Sequence, residues 1–109
     1  MKYITFTIPC YNSENYMRRC VDSLLVGGED VEILIIDDGS SDRTGAIADE
    51  YEMLYPNIVK AVHKPNGGHG SGVNKGLELA HGLYYKVVDS DDWFDRDAYL
   101  KMLDKIKTF

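Results

Sequence analysis

The sequence alternates regularly between four apolar, strand-like segments and four amphipathic, helix-like ones, and this alternation most constrains its fold. The strand-like segments begin near residues 3, 31, 58 and 83, so about 25 to 28 residues separate successive starts. A connection of that length has room for a crossover helix and therefore joins parallel strands. We predict an α/β fold: a doubly wound, mainly parallel four-stranded sheet with helices on both faces, in a Rossmann-like arrangement.

The boundaries of these segments are predicted from apolar periodicity, caps and breakers. The strands are placed at residues 3–8, 31–36, 58–62 and 83–88. A cap at Asn12 or Ser13 is expected to start the first helix, and Asp42 the second. The third helix is expected from Val73, after a loop that contains Gly67, Gly68, Gly70 and Gly72, and the last one over residues 99–106.

Length and charge limit the partners that the chain can have. Its 109 residues make one domain, and 18 acidic against 12 basic side chains leave a formal net charge of -6. The field of such a protein repels nucleic acid and anionic lipid, so an anionic ligand requires a divalent cation or local donors. Cys10 and Cys20 are predicted to be core thiols, and no apolar stretch is long enough for direct membrane insertion. A cytoplasmic protein that binds no nucleic acid is expected.

Polar or glycine-rich stretches follow the predicted strands, where doubly wound sheets bind their ligands. After the fourth strand, Asp89, Asp91 and Asp92 would repel one another unless they were solvated or neutralised. This cluster favours a hard divalent cation, Mg²⁺ or Mn²⁺. The alternative is a solvated turn in which Asp89 or Ser90 caps the last helix.

The other strand ends suggest a nucleotide, and each also has a structural interpretation. The ring of Tyr11 is suited to stacking on a base, or it is a plain rim aromatic. One member of the Asp37-Asp38 pair can hold the loop while the other accepts a ligand N–H. The glycine loop fits neither the dinucleotide nor the phosphate-loop pattern, but it lets a ligand approach the backbone.

Aromatic and histidine residues outside these stretches receive structural interpretations. Trp93 and Phe94 are expected to anchor packing. His63 and His81 are expected at the surface or in loops, and His69 is the one histidine expected near the site.

Taken together, the stretches resemble those of the family 2 glycosyltransferases of GT-A fold. The matching pieces are PCYN at 9–12, IIDDGSSD at 35–42, NGG at 66–68, NKG at 74–76 and DSDDW at 89–93. Their order and spacing cover nearly the whole chain.

The resemblance implies a nucleotide-diphosphate sugar donor, usually a uridine diphosphate sugar, and inverting transfer to the hydroxyl of a saccharide or lipid-linked acceptor. Tyr11 would stack on the base and Asp38 would accept its N–H. Asp89 would lie near the ribose and the metal, and Asp91 of the Asp-x-Asp motif would ligate the Mg²⁺ or Mn²⁺ that bridges the diphosphate, with Asp92 in support. Further donor-binding residues implied in this way are Pro9, Asn66, Gly67, Gly68, Lys75 and Ser90.

The sequence departs from the family pattern in two ways. Members often carry an arginine where this chain has Val73, so Lys75 or Lys64 would replace it. Family domains also extend well beyond this length, so the acceptor half and the general base are expected beyond Phe109, with no catalytic residue in residues 1–109.

The chain is accordingly expected to be a donor-binding half, truncated at its carboxyl end and inactive alone. We expect it to form a two-fold dimer through the last helix, because truncation would leave a surface uncovered. Peripheral membrane association would require regions outside the chain.

Two other classes of protein remain as alternatives. One is a non-catalytic nucleotide-binding or interaction module. The other is a phosphoacceptor signalling domain, which would place its acidic pair after strand one, where this chain has Pro9-Cys10.

Overall fold

Strands and helices alternate along the chain in the computed structural model, which describes residues 1–108. The strands are β1 (Ile4–Cys10), β2 (Val31–Asp38), β3 (Val59–Lys64) and β4 (Tyr84–Val87), and the helices are α1 (Met17–Leu25), α2 (Thr44–Leu54), α3 (His69–Leu79) and α4 (Arg96–Lys107). A short 3-10 turn, Gly28–Asp30, precedes β2. All paired strands are parallel, in the order β3-β2-β1-β4, so the predicted fold class is confirmed. None of the helices in this part of the chain combines the length and apolarity that crossing a bilayer requires.

The two faces of the sheet differ in chemistry because side chains alternate along each strand. On one face, the apolar residues of β1 pack with α1, α2 and α4. Phe6 meets Phe94 and Tyr99 edge to face, with ring centroids 5.5 and 5.6 Å apart. On the other face, Thr7 and Pro9 lie beneath α3. Helices therefore cover both faces, as predicted.

Strands β1, β2 and β3 extend two residues further toward the carboxyl edge than predicted, whereas β4 is shorter than the predicted 83–88. Pro9 lies inside the central strand β1, although proline was expected to end it. Thr7 faces β4 with its backbone, since its carbonyl accepts from Val88, and Pro9 has the same orientation two residues on. The ladder with β4 ends at Thr7, so the missing N–H of Pro9 costs no ladder hydrogen bond.

The starts of the first two helices also differ from their predicted caps. Neither Asn12 nor Ser13 caps α1 with its side chain, because a turn intervenes in which the Ser13 carbonyl accepts from Met17 N–H. Asp42 lies two residues before α2 begins, and its carboxylate accepts from Thr44 N–H at 2.9 Å.

The third helix begins earlier than predicted, so Gly70 and Gly72 are helical rather than part of the loop. Glycine is a poor helix former, but its small size lets α3 approach the sheet closely. A Cβ at Gly72 would lie 3.3 Å from Pro9 Cβ. Tyr85 on β4 donates to the Val73 carbonyl at 2.7 Å and further ties the helix to the sheet. Tertiary packing thus overrides the local preference.

Candidate functional site

The acidic loop after β4 gathers the three predicted carboxylates. Oxygens of Asp89, Asp91 and Asp92 lie within 4.8 Å of one another, and all three residues are exposed. A turn in which Asp92 N–H donates to the Asp89 carbonyl at 3.0 Å brings them together. Asp95, not Asp89 or Ser90, caps α4, accepting from Ala98 N–H at 2.9 Å. The capping alternative is therefore wrong, and the oxygen donor set fits a hard divalent cation.

The acidic loop forms hydrogen bonds with α1 and with the loop that precedes α1. The hydroxyl oxygens of Ser90 and Ser13 are 3.0 Å apart, and the Cys20 thiol donates to the Asp89 carbonyl at 3.6 Å. Burial, the largest cause, raises the pKa of the Cys10 and Cys20 thiols to about 12, so both are un-ionised core groups, as predicted.

Trp93 and Phe94 have different environments, although both were expected to anchor packing. Phe94 packs against the core, but Trp93 is half exposed and lies under the guanidinium of Arg19, 3.3 Å from the ring centroid. This cation–π contact fixes the end of the acidic loop on α1. Sequence reasoning missed it because Arg19 carries no motif signal.

Asp38 joins the ends of β2 and β3 to the glycine loop. Its Oδ1 accepts from Lys64 Nζ at 2.8 Å and from Gly67 N–H at 2.9 Å, and its Oδ2 accepts from Gly68 N–H at 3.0 Å. Asn66 Nδ2 donates to the Asp38 carbonyl at 3.1 Å. Burial opposes ionisation of this carboxyl, but the Lys64 ammonium and the two glycine N–H groups outweigh it and lower its pKa. Oδ2 retains capacity to accept one more donor.

The loops after β1 and β2 are bonded to each other beside Asp38. Asp37 Oδ1 accepts from Ser40 N–H at 3.0 Å, so Asp37 is the member of the pair that holds its own turn. Asn12 N–H donates to Ser40 Oγ at 3.0 Å, and Ser41 N–H donates to Asn12 Oδ1 at 2.9 Å. Tyr11, directly before Asn12, is 53% exposed, so its ring is open to a stacking partner.

The histidines and lysines considered in the sequence analysis differ in which acidic residues they contact. His69 Nε2 lies 3.6 Å from Asp89 Oδ1, as expected for a histidine near the site. Lys64 is engaged by Asp38, whereas Lys75 on α3 has Glu78 as its ionic partner, at 3.8 Å. His63 is half exposed but bridges two carboxylates, a contact that sequence reasoning missed.

Parallel sheets bind ligands at the carboxyl edge, where the strand order reverses. Here the reversal is at β1, which lies between β2 and β4, and the polar residues described above lie at the ends of these strands. The chain is thus a Rossmann-like α/β domain whose polar residues gather at the ligand-binding edge.

Comparison with known proteins agrees with this class. The family model described as "Glycosyl transferase family 2" matches residues 5–108, and the chain belongs to this family. The putative glycosyltransferase EpsH of Bacillus subtilis (strain 168) is 40% identical over 101 residues, which cover 92% of this chain and 29% of EpsH. The uncharacterized glycosyltransferase MG025 homolog of Mycoplasma pneumoniae is 43% identical over an aligned length of 107, and the match covers 93% of this chain and 36% of the relative.

Solved structures show the same fold. S. aureus TarS 1-349 in complex with UDP-GlcNAc matches with a TM-score of 0.82 and 29% identity, over 99% of this chain and 32% of TarS. The mannosyltransferase PcManGT from Pyrobaculum calidifontis, in complex with GDP-Man and Mn²⁺, has a TM-score of 0.80 at 20% identity and shares the fold. The chain spans about a third of the length of these relatives. The predicted family and GT-A-type fold are confirmed.

Proposed function

We propose that this chain is the donor-binding portion of a glycosyltransferase that transfers a sugar, with inversion, from a uridine diphosphate sugar to an acceptor hydroxyl. The observation that carries the proposal is the carboxylate cluster at the end of β4, in a chain of net charge -6. A diphosphate would be repelled there without a cation. The UDP-GlcNAc complex of TarS supports a uridine nucleotide as the ligand.

Asp91 and Asp89 would hold Mg²⁺ or Mn²⁺, with Asp92 in support. Their exposed oxygens are the hard ligands that both ions accept, and open positions would remain for water and phosphate. When bound, the ion would neutralise the diphosphate and stabilise it as a leaving group. Ser90, held by Ser13, would keep the backbone of this loop in place.

The base would bind between the ends of β1 and β2. Tyr11 supplies a stacking surface, and Asp38 Oδ2 accepts the base N–H while its other bonds hold Gly67 and Gly68. Lys75 is available to a donor phosphate, because an exposed ion pair such as the one with Glu78 contributes little.

Two further residues assigned to the sugar-donor site would support the framework of the pocket. Pro9 supports α3 beneath the site, and Asn66 fixes the glycine loop to β2. The acceptor site and the general base would be supplied by sequence outside residues 1–109, since relatives are about three times as long.

The test is calorimetric titration of UDP with Mg²⁺, with Mn²⁺ and with a chelator. We expect binding only with a cation, and Asp91→Asn should remove most of it without changing the melting temperature, because Asp91 is exposed. The matched control is Asp104→Asn, since Asp104 is an exposed aspartate on α4, and this variant should bind UDP normally. Equal affinity for UDP in chelator would contradict the metal role.

A further inference from the structure

Two ionic pairs join the ends of β2 and β3 at successive register positions. Asp37 lies opposite His63, and Asp38 lies opposite Lys64. Because side chains alternate, the two pairs lie on opposite faces of the sheet. The pair formed by Asp38 and Lys64 belongs to the base pocket, whereas the pair formed by Asp37 and His63 faces α2 and has no role in the proposed function so far.

His63 contacts a carboxylate through each ring nitrogen. Its Nδ1 is 3.0 Å from Asp37 Oδ2, and its Nε2 is 2.7 Å from Asp49 Oδ1 on α2. Ionised carboxylates only accept hydrogen bonds, and a neutral imidazole has one N–H, so both bonds form together only when the ring is a cation. The hydrogen bond to Asp37, followed by that to Asp49, raises the pKa of His63 above its ordinary value.

No other charged side chain is seen to bond the ring among residues 1–108. The carboxylate of Glu52 on α2 is engaged at Ala61 N–H, at 2.9 Å. Lys64 lies on the opposite face and is bonded to Asp38. The charges that face His63 are therefore Asp37 from β2 and Asp49 from α2.

A continuous set of hydrogen bonds leads from His63 to the base pocket. Asp37 uses Oδ2 for His63 and Oδ1 for Ser40 N–H, and Ser40 Oγ accepts from Asn12 N–H. Asn12 directly follows Tyr11, and Asp37 directly precedes Asp38. Tyr11 and Asp38, the two residues assigned to the base, are therefore each the sequence neighbour of a residue that hydrogen-bonds Ser40 in the turn after β2.

We propose that His63, as a cation, is a positioning residue for the nucleotide base, so that affinity for the donor falls when this ring loses its proton. Deprotonation removes one of the two N–H donors, so one of the two carboxylates loses its hydrogen bond and its counter-charge. Asp37 then holds the turn less firmly, and the local charge becomes more negative toward an anionic ligand. This inference rests on the proposed function.

The experiment measures affinity for UDP-GlcNAc with Mg²⁺ from about pH 5.5 to about pH 8.5, the range in which histidine titrates. All the proteins compared carry His69→Gln, which removes the imidazole that lies beside Asp89. We expect affinity to fall about fivefold as pH rises, at the low end of couplings between sites. The midpoint should match the titration of the His63 ring followed by NMR.

Variants distinguish a positioning role of His63 from a general loss of structure. His63→Gln should bind weakly and without pH dependence, whereas His63→Lys, a permanent cation in this range, should restore affinity and remain independent of pH. Asp49→Asn should move the fall to lower pH, since it removes one carboxylate that favours the cation. His81→Gln is the matched control: His81 also bonds a carboxylate, that of Glu32, but near the start of β2, and its loss should leave the pH profile unchanged.

The outcomes are distinct. Absence of UDP-GlcNAc binding at every pH would overturn the proposed function and this role with it. Binding that does not vary with pH, or a fall that persists in His63→Gln, would overturn the role of His63 alone. If His63→Gln does not fold, an unchanged midpoint in Asp49→Asn is the outcome that overturns the role.

Discussion

At the scale of single residues, some side chains of the proposed site are exposed to solvent, whereas others already form hydrogen bonds within the protein. Tyr11 is half exposed, and its ring is open to solvent. Asp38, in contrast, is buried and holds Lys64, Gly67 and Gly68. Replacing Asp38 by alanine would weaken nucleotide binding and would also leave the Lys64 ammonium and two glycine N–H groups without their shared acceptor. Tyr11 therefore gives the cleaner test of the base pocket.

We expect Tyr11→Ala to weaken binding of UDP and uridine by about 1–3 kcal/mol, the usual contribution of stacking between a base and an aromatic ring. Unfolding free energy should stay within about 0.5 kcal/mol of the parent, as for other exposed positions. Calorimetry supplies the affinities, with Tyr11→Phe as the control that keeps the stacking surface. Pyrophosphate should bind equally to all three proteins, and unchanged uridine affinity in Tyr11→Ala would refute the stacking role.

At the scale of elements, the packing of α3 on the sheet positions the glycine loop that precedes it. The helix is close to β1 and β4 because glycines face the strands. A Cβ at Gly76 would overlap the Thr7 hydroxyl and lie 2.7 Å from the Tyr85 hydroxyl. At Gly70, on the same helix, a Cβ would meet nothing within 4 Å.

Gly76→Ala should lower the free energy of unfolding by about 1–3 kcal/mol, because the added methyl group has no space in a packed interface. Gly70→Ala is the matched control and should raise it by about 0.5–1 kcal/mol through better helix propensity. Urea titration followed by circular dichroism measures both. Equal effects of the two substitutions would argue against close packing of α3.

At the scale of the whole molecule, the structure changes which part of α4 could mediate the predicted dimer. Tyr99 and Leu103 are buried, and Tyr99 donates to the Leu24 carbonyl at 2.8 Å, so neither is available to a partner. Residues of α4 line an apolar groove of about 530 Å³. Its lining residues are Ala98, Lys101, Met102, Lys105 and Ile106. Among the described residues, β4 is also paired on one side only.

We expect the chain to self-associate through this groove, because an apolar surface beside an unpaired strand edge favours a partner. Light scattering over a concentration series should show the mass rising from monomer toward dimer. Met102→Glu should hold the chain closer to monomer, since it places a charge in the groove. Met53→Glu, at an exposed methionine of α2, is the control and should associate like the parent. A constant monomer mass for the parent would rule out this association.

The sequence alone determined the alternation of strands and helices and the parallel direction of the strands, because apolar periodicity and crossover length are local properties of the chain. It also determined the family, because the motifs follow one another in a fixed order. The clustering of Asp89, Asp91 and Asp92 was predictable for the same reason: these residues are neighbours in the chain and need only a turn to bring their carboxylates together.

Only the tertiary structure decided which polar groups would bond to one another across the site. Asp38 bonds residues 26 to 30 positions later, and His63 reaches both Asp37 and Asp49. These contacts depend on the register between β2 and β3 and on how α2 and α3 pack, which no local pattern specifies. The same packing makes Gly70 and Gly72 helical, because burial against the sheet outweighs the intrinsic preference of glycine.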